Sequence, residues 1–362
     1  MSDESYIKLA IEIAKKGSGA VSPNPMVGCV IVKNDRIISA GYHEKFGENH
    51  AEINAIEKAR ENIEGATLYT NLEPCSHFGK TPPCVDRIIE KKIKRVVIGT
   101  NDMNPLVSGR GIRKLKSAGI DVKVGILENE CIELNRFFFK YITEKIPYVT
   151  LKAAQTLDGK IADKSGDSKW ISSLDSRKYV HKLRANYDAV LVGYGTVLKD
   201  DPKLTVRLAE GRNPQRIVLD SNLELNNKFK LLLNNKDGKL IILTSKRNIE
   251  KKGKIKKILS HKAKIIFVKE DASGKLNLKN ALKELAKINI SSVLVEGGKE
   301  VFTSFIKKNL YDDIMLFMTP KLIGCGVSLL GNINKQNIKN ALKLRVRNSE
   351  KIGDDFLIEL IK

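Results

Sequence analysis

A chain of 362 residues with 42% hydrophobic side chains is long enough for about two domains, each burying its own core. No apolar run approaches the ~20 residues of a membrane helix, and the opening stretch MSDESYIKLAIEIAKKG has acids where a secretory signal has basic residues, so a cytoplasmic protein with reduced cysteines is expected. The formal net charge of +22 raises nucleic acid as a partner, yet lysine dominates, aromatics are 6%, and the basic segment KRNIEKKGKIKKILSHKAK lacks arginine-aromatic interleaving, so it reads as a solvated face with neither nucleic acid nor membrane as partner.

Tyr6, Leu9, Ala10, Ile13 and Ala14 recur at helical spacing and predict an amphipathic helix over Tyr6–Lys16. Strands follow at Val27–Val32 and Ile37–Tyr42, joined at Asn34-Asp35 by a hairpin turn. Ala51, Ile53, Ala55, Ile56 and Ala59, with charges between them, predict a helix over His50–Arg60 whose first turn carries His50 and Glu52. Thr67–Leu72 is strand-like and Pro74 ends it. Pro82 and Pro83 open a helix over Val85–Lys92, which puts Cys84 where unpaired backbone donors and the helix dipole favour a thiolate. A strand at Arg95–Gly99, a helix at Ile112–Ala118, a strand at Val122–Ile126 and a helix at Asn129–Glu144 complete an alternation that argues an α/β domain around a mixed sheet. Ile146-Pro147 ends that domain, dividing the chain into 1–146 and 147–362.

The chemistry concentrates between His50 and Cys84. His50, Cys75 and Cys84 offer one imidazole and two thiolates, ligands that suit a tetrahedral zinc with its fourth position left to water. Glu52 is too close to His50 to share the ion comfortably, yet well placed to move a proton at the attacking water. The set reads as a hydrolytic site. The alternative is a non-catalytic zinc-stabilised scaffold in which Glu52 is dispensable. Cys29, Cys131 and Cys325 read as packing residues.

The second half alternates again, with strands at Tyr148–Ala154, Ala189–Gly193, Arg216–Leu219, Leu240–Thr244, Lys264–Val268, Ser292–Val295 and Ile314–Met318, and helices at Ser173–Ala185, Leu278–Lys287 and Glu300–Lys308. Gly193-Tyr194-Gly195 lacks the third glycine of the dinucleotide fingerprint, which disfavours a standard Rossmann domain. Val295-Glu296-Gly297-Gly298 leads from a strand into a helix, where glycines either let a phosphate approach backbone donors or make an ordinary tight turn.

The H-x-E of His50–Glu52 followed by Pro74-Cys75 and Cys84 resembles the zinc-dependent cytidine and deoxycytidylate deaminase superfamily, with SHFGKTPP separating the cysteines in place of two residues. That insertion, with PNPMVG, HEKFGENHAE, QTLDGKIA, SGDSKWISS, GYGTVLKDDPKLTVR and LVEGGKEVFTSF in order, is similar to the bifunctional deaminase-reductases of the riboflavin pathway. The resemblance implies a cytidine-deaminase-like α/β/α domain followed by a dihydrofolate-reductase-like α/β domain. It implies zinc and NADPH as cofactors, a phosphorylated pyrimidine substrate, and a homo-oligomer, dimer or tetramer, formed through the reductase domain. It further implies that Asn24, His43, Asp102 and Asn104 line the pyrimidine pocket. Ala154, Trp170, Thr196, Asp200 and Ser221 would meet the nicotinamide cofactor, with the run Gly298, Lys299, Glu300, Val301, Phe302, Thr303 and Ser304. Ser168, Arg184, Leu204, Arg207 and Glu296 would meet the reductase substrate, for which a bidentate guanidinium is the usual phosphate partner. Surface salt bridging is the competing account of Arg184, and Lys152 and Asp200 are the candidates for proton handling. The expected function is hydrolytic deamination followed by NADPH reduction of a ribosyl side chain. Its rival is a nucleic-acid base deaminase whose basic second half binds RNA.

Overall fold

The computed structural model describes residues 1–78, 82–104, 107–335 and 337–362. The middle of the SHFGKTPP insertion, 79–81, lies outside the described residues. The chain divides into two compact units, Met1–Lys145 and Ile146–Lys362.

The first unit begins with α1 (Asp3–Ala14), capped by Ser2, whose side chain accepts the Ser5 N–H. Its strands are β1 (Gly28–Lys33), β2 (Arg36–Tyr42), β3 (Thr67–Leu72), β4 (Arg95–Thr100) and β5 (Asp121–Val124). They form one sheet in the order β2-β1-β3-β4-β5, with β1 antiparallel to both neighbours and β3, β4 and β5 mutually parallel. This is the mixed sheet that the alternation predicts. Because successive strand residues face opposite sides, Val30 and Val32 pack with Tyr6, Ile7 and Ala10 of α1. Cys29 and Ile31 enter the opposite core beneath α2 (Ala51–Lys58) and α3 (Cys84–Glu90). A β-carbon at Gly41 would come 2.4 Å from Ala55 N, so glycine is what lets α2 seat on β2. The next helix is α4 (Arg110–Ser117). The predicted helix over Asn129–Glu144 is instead two, α5 (Glu128–Leu134) and α6 (Arg136–Glu144). Asn135 breaks it: buried, it accepts the Met26 N–H at 2.8 Å and returns its amide to Met26 O at 2.9 Å, a pairing that competes with the helix.

The second unit carries β6 (Tyr148–Thr156), β7 (Lys160–Ala162), β8 (Ala189–Gly193), β9 (Gln215–Leu219), β10 (Leu240–Ser245), β11 (Lys264–Val268), β12 (Ser292–Val295), β13 (Asp313–Thr319), β14 (Val327–Ser328), β15 (Arg345–Ile352) and β16 (Asp355–Ile361). Nine of them form a sheet in the order β11-β10-β9-β8-β12-β6-β13-β16-β15, parallel except where β16 runs against β13 and β15. Sequence reading passed over the β15–β16 hairpin, because β15, RVRNSEKI, lies mostly exposed and shows no apolar alternation. It also missed α8 (Tyr194–Asp200), α9 (Lys230–Leu233) and α10 (Lys252–Ser260), but found the positions of α7 (Leu174–Asn186), α11 (Leu278–Lys287) and α12 (Lys299–Lys307). Val149, Leu151, Ala189, Leu191, Val293 and Val295 meet Leu282, Leu285, Phe302 and Phe305 in the core. The parallel strands bring the carboxyl ends of β6, β8, β9 and β12 to one edge, where open α/β sheets bind ligands.

Candidate active sites

In the first unit His50 is the N-cap residue of α2, one position before the helix rather than inside it, and Glu52 stands in the first turn. Glu52 shares its face with buried Ala51, Ala55 and Ile56, so the apolar period that forms the helix also drives this carboxyl inward. Cys75 follows β3, and Cys84 opens α3 behind Pro83. The ligand atoms of His50, Cys75 and Cys84 lie within 4.8 Å of one another. His50 Nδ1 is 3.5 Å from Cys75 Sγ and 3.3 Å from Cys84 Sγ. One imidazole and two thiols at this spacing fit zinc.

The helix N-terminal amide falls on the other cysteine from the one expected. The Cys84 backbone N–H, at the start of α3, donates to Cys75 Sγ at 3.3 Å. Hydrogen bonding from Cys84 and from His50 holds the Cys75 thiol down at about 4, whereas facing Cys75 and being buried push Cys84 up. The helix amide serves the neighbouring sulfur rather than the one on its own residue. Burial likewise raises the Glu52 carboxyl, with Cys75 adding to the effect and His50 opposing it. Of the three cysteines read as packing, Cys29 and Cys131 are buried and Cys325 is exposed, which corrects that expectation for Cys325.

A cavity of ≈ 210 Å3 brings His50, Glu52 and Cys75 together with Asn24, His43, Asp102 and Asn104. Asn24 Nδ2 is 3.1 Å from His43 Nε2, and His43 Nδ1 is 2.9 Å from Asn49 O. A carbonyl only accepts, so Nδ1 carries the proton and Nε2 takes the Asn24 amide. Burial lowers the His43 pKa and keeps the ring neutral. Asp102 lies beyond the carboxyl end of β4, where burial raises its carboxyl to about 6 while the Asn104 N–H, bonded at 2.7 Å, opposes the rise.

In the second unit the candidate residues gather at the carboxyl edge of the sheet. Ala154 and Lys152 are on β6, Thr196 and Asp200 are on α8 directly after β8, Ser221 follows β9, and Glu296 to Gly298 connect β12 to α12. Gly298 is the N-cap of α12, with no side-chain cap, and its N–H donates to Thr196 Oγ1 at 3.1 Å. A β-carbon at Gly297 would come 2.8 Å from Val301 Cβ. Glycines followed by the amides of a nine-residue helix fit the phosphates of a dinucleotide. Within the run from Gly298 to Ser304, the Phe302 side chain is 1% exposed and packs in the hydrophobic core, which leaves its backbone as the part that could meet a cofactor. Trp170 is exposed beneath the Arg177 guanidinium, 3.9 Å from its ring centre, and Ser168 is two residues before it. Asp200, at the end of α8, is also exposed.

Arg184 and Glu296, both expected on the substrate, pair with each other. Arg184 Nε and Nη2 donate to the two carboxylate oxygens at 2.7 and 2.8 Å, with both side chains largely buried. Glu296 is buried, which alone would raise it, but the Arg184 charge and hydrogen bonds hold it down at about 2. Burial lowers Lys152, and Glu296 opposes that shift. Leu204 is buried with left-handed backbone (φ 53°), so its side chain points into the unit's interior. The Arg207 guanidinium is partly free and turns back to Thr205 Oγ1 at 2.8 Å.

Residues 147–358 match the RibD C-terminal domain, and residues 1–100 match the cytidine and deoxycytidylate deaminase zinc-binding region. The riboflavin biosynthesis protein RibD of Aquifex aeolicus is 48% identical over 357 residues, 98% of this chain and 97% of that one. This chain belongs to the RibD family. RibD of Escherichia coli is 36% identical over the whole of both chains. A Thermotoga maritima structure described as a diaminohydroxyphosphoribosylaminopyrimidine deaminase/5-amino-6-(5-phosphoribosylamino)uracil reductase superposes with a TM-score of 0.88 at 44% identity, covering 99% of this chain and 98% of that one. Acinetobacter baumannii RibD gives 0.89 at 34% identity with the same coverage. Zinc and NADPH are accordingly the cofactors of this RibD-family chain.

Sequence reading passed over one further residue in the RibD deaminase cavity. Glu73 is 3% exposed, and its carboxylate accepts the N–H groups of Asp102 (3.2 Å), Gly109 (2.9 Å), Gly111 (3.0 Å) and Ile112 (3.3 Å). It therefore holds the loop that carries Asp102 and Asn104, and caps the start of α4. An acid before Pro74-Cys75 gives no local sign of this, because its partners lie 29 to 39 residues away. Glu73→Gln turns an NH2 towards two of these donors. It should lower the unfolding free energy of the first unit by about 2–4 kcal/mol, read by urea titration, and speed amide exchange at Gly111 and Ile112. Unchanged exchange at those amides would refute the bracing role.

Proposed function

We propose that the chain performs two successive reactions of riboflavin biosynthesis. The first unit deaminates 2,5-diamino-6-(5-phosphoribosylamino)pyrimidin-4-one hydrolytically, and the second reduces the ribosyl side chain of the product to ribityl with NADPH. The proposed boundary between the activities is 146/147. The observation that carries the reading is the convergence of His50, Cys75 and buried Glu52 on one cavity with Asn24, His43, Asp102 and Asn104, the Cys84 sulfur lying within 4.8 Å of the other two ligand atoms. The rival, a base deaminase with an RNA-binding second half, is not favoured: the basic segment falls inside residues 147–358, which match the RibD C-terminal domain.

In the first reaction His50, Cys75 and Cys84 would hold zinc, which would supply the Lewis acidity that makes water nucleophilic near neutral pH. Glu52 takes the proton from the attacking water and delivers it to the departing ammonia. Asn24, held at one N–H by His43, keeps its Oδ1 and second N–H for the pyrimidine edge. In the second reaction NADPH would supply hydride to the sugar carbon attached to nitrogen, whose bond to the ring oxygen breaks as that oxygen takes a proton. Thr196 and the amides after Gly298 seat the cofactor. The Arg184–Glu296 pair keeps Glu296 ionised and oriented towards substrate, Arg207 binds the 5-phosphate, and Lys152 and Asp200 are the proton-handling candidates.

Cys84→Ser should lower both zinc content and ammonia release, while NADPH oxidation on supplied deaminated intermediate continues at the parent rate. Loss of both activities together, with each unit folded by circular dichroism, would contradict two separate sites. A salt-dependent gel shift with tRNA and no quenching of NADPH fluorescence would restore the rival.

A homo-oligomer formed through the second unit belongs to the same proposal. It is supported by β15 at the outer edge of the sheet, where Val346 and, on β16, Phe356 are 63% and 48% exposed. Sedimentation velocity decides it. No helix of the described residues is long and apolar enough to cross a membrane; cytoplasmic residence is proposed from the biosynthetic role of the family.

A further inference from the structure

His181 lies on α7 one turn before Arg184 and is 5% exposed. Its Nδ1 accepts the backbone N–H of Arg207 at 2.8 Å and that of Leu208 at 3.4 Å. A ring nitrogen that accepts an N–H carries no proton, so the imidazole is the neutral tautomer protonated at Nε2. One turn on, Arg184 Nη1 donates to Thr205 O at 3.3 Å while its other nitrogens hold Glu296. The helix thus grips the 205–208 backbone on both sides of the Arg207 α-carbon, from two side chains that are themselves buried.

We propose that His181 is a positioning residue of the reductase, whose neutral Nδ1 fixes the Arg207–Leu208 backbone so that the Arg207 guanidinium is presented to the 5-phosphate. This rests on the reading of Arg207 as the phosphate ligand. The charged groups that face the ring are Arg184 on its own helix, Arg207 on the gripped segment, Lys152 on β6 and Glu296 after β12. Three cations stand against one carboxylate that Arg184 already holds. A protonated ring would add a fourth cation and set one N–H against another. Burial and the two arginines accordingly push His181 down to about 4. The phosphate has its own pKa near about 6, so substitution isolates the contact better than pH does.

The test measures KM and kcat of the full-length protein with the phosphorylated intermediate and with its dephosphorylated form. His181→Leu should raise KM for the phosphorylated intermediate by about tenfold or more, with kcat, NADPH affinity and ammonia release little changed. His181→Asn, whose Oδ1 stands close to the position of Nδ1, should recover most of that loss, and neither variant should alter KM for the dephosphorylated form. Equal losses on both substrates would show that His181 only supports the fold and would overturn the proposal. An unchanged KM in His181→Leu beside a raised KM in Arg207→Ala would overturn the positioning alone. An unchanged KM in Arg207→Ala would remove the phosphate reading and the proposal with it. If His181→Leu fails to bind NADPH because it is unfolded, His181→Gln replaces it. The Gln acceptor reaches the Nε2 side, so Gln should be impaired where Asn is not, and equal KM values for the two would overturn the proposal.

Discussion

Glu52→Gln is expected to leave zinc bound and the first unit folded, while ammonia release falls by about 10²–10⁴-fold. The amide keeps the shape of the carboxylate and its place on the buried face with Ala51, Ala55 and Ile56, so packing is retained. Glu52 is not needed for binding the metal, because His50, Cys75 and Cys84 supply three ligand atoms within 4.8 Å without it. What an amide cannot do is accept a proton from water and return it to the leaving amino group. Zinc measured by atomic absorption should stay stoichiometric, and NADPH oxidation on supplied deaminated intermediate should match the parent. Near-normal ammonia release from zinc-loaded protein would sink the mechanism and favour a structural metal.

Arg184→Ala should destabilise the second unit by about 3–5 kcal/mol, the usual cost of removing one partner from a buried ion pair. The loss is this large because Glu296 remains, its side chain 9% exposed, with both oxygens deprived of their donors. The pH dependence separates a charge effect from lost packing. In the parent, Glu296 is depressed to about 2, so its contribution is complete above the unfolded value near 4.5 and disappears as pH falls through about 2. In the variant, burial raises the carboxyl above its unfolded value, so the folded state binds the extra proton and is relieved as pH falls. Destabilisation measured by urea titration should therefore shrink between pH 8 and pH 5. A pH-independent loss would mean that the Arg184 stem, and not its charge, holds the unit together. The double substitution Arg184→Ala with Glu296→Ala should cost less than the sum of the two single changes.

Local spacing determined much of this protein. His50 and Glu52 are two residues apart at a helix start, and cysteines separated by prolines mark a metal site, because zinc chemistry needs those residue types whatever surrounds them. Alternating periods located most strands of both sheets, since a strand or helix buries a face whose repeat is a property of the backbone. Tertiary structure alone decided the partners. Glu73 meets Ile112 across 39 residues, Asn135 meets Met26 across 109, Arg184 meets Glu296 across 112, and His181 meets Arg207 across 26. Each pairing depends on which strands lie side by side, and a hydrogen bond's few ångströms of reach leave no trace in local composition. The same cause explains Phe302: resemblance placed it in a cofactor run, while the register of α12 on the sheet turned it, with Phe305, into the core. A helix position becomes a contact or a packing residue only when the helix docks and one of its faces is covered.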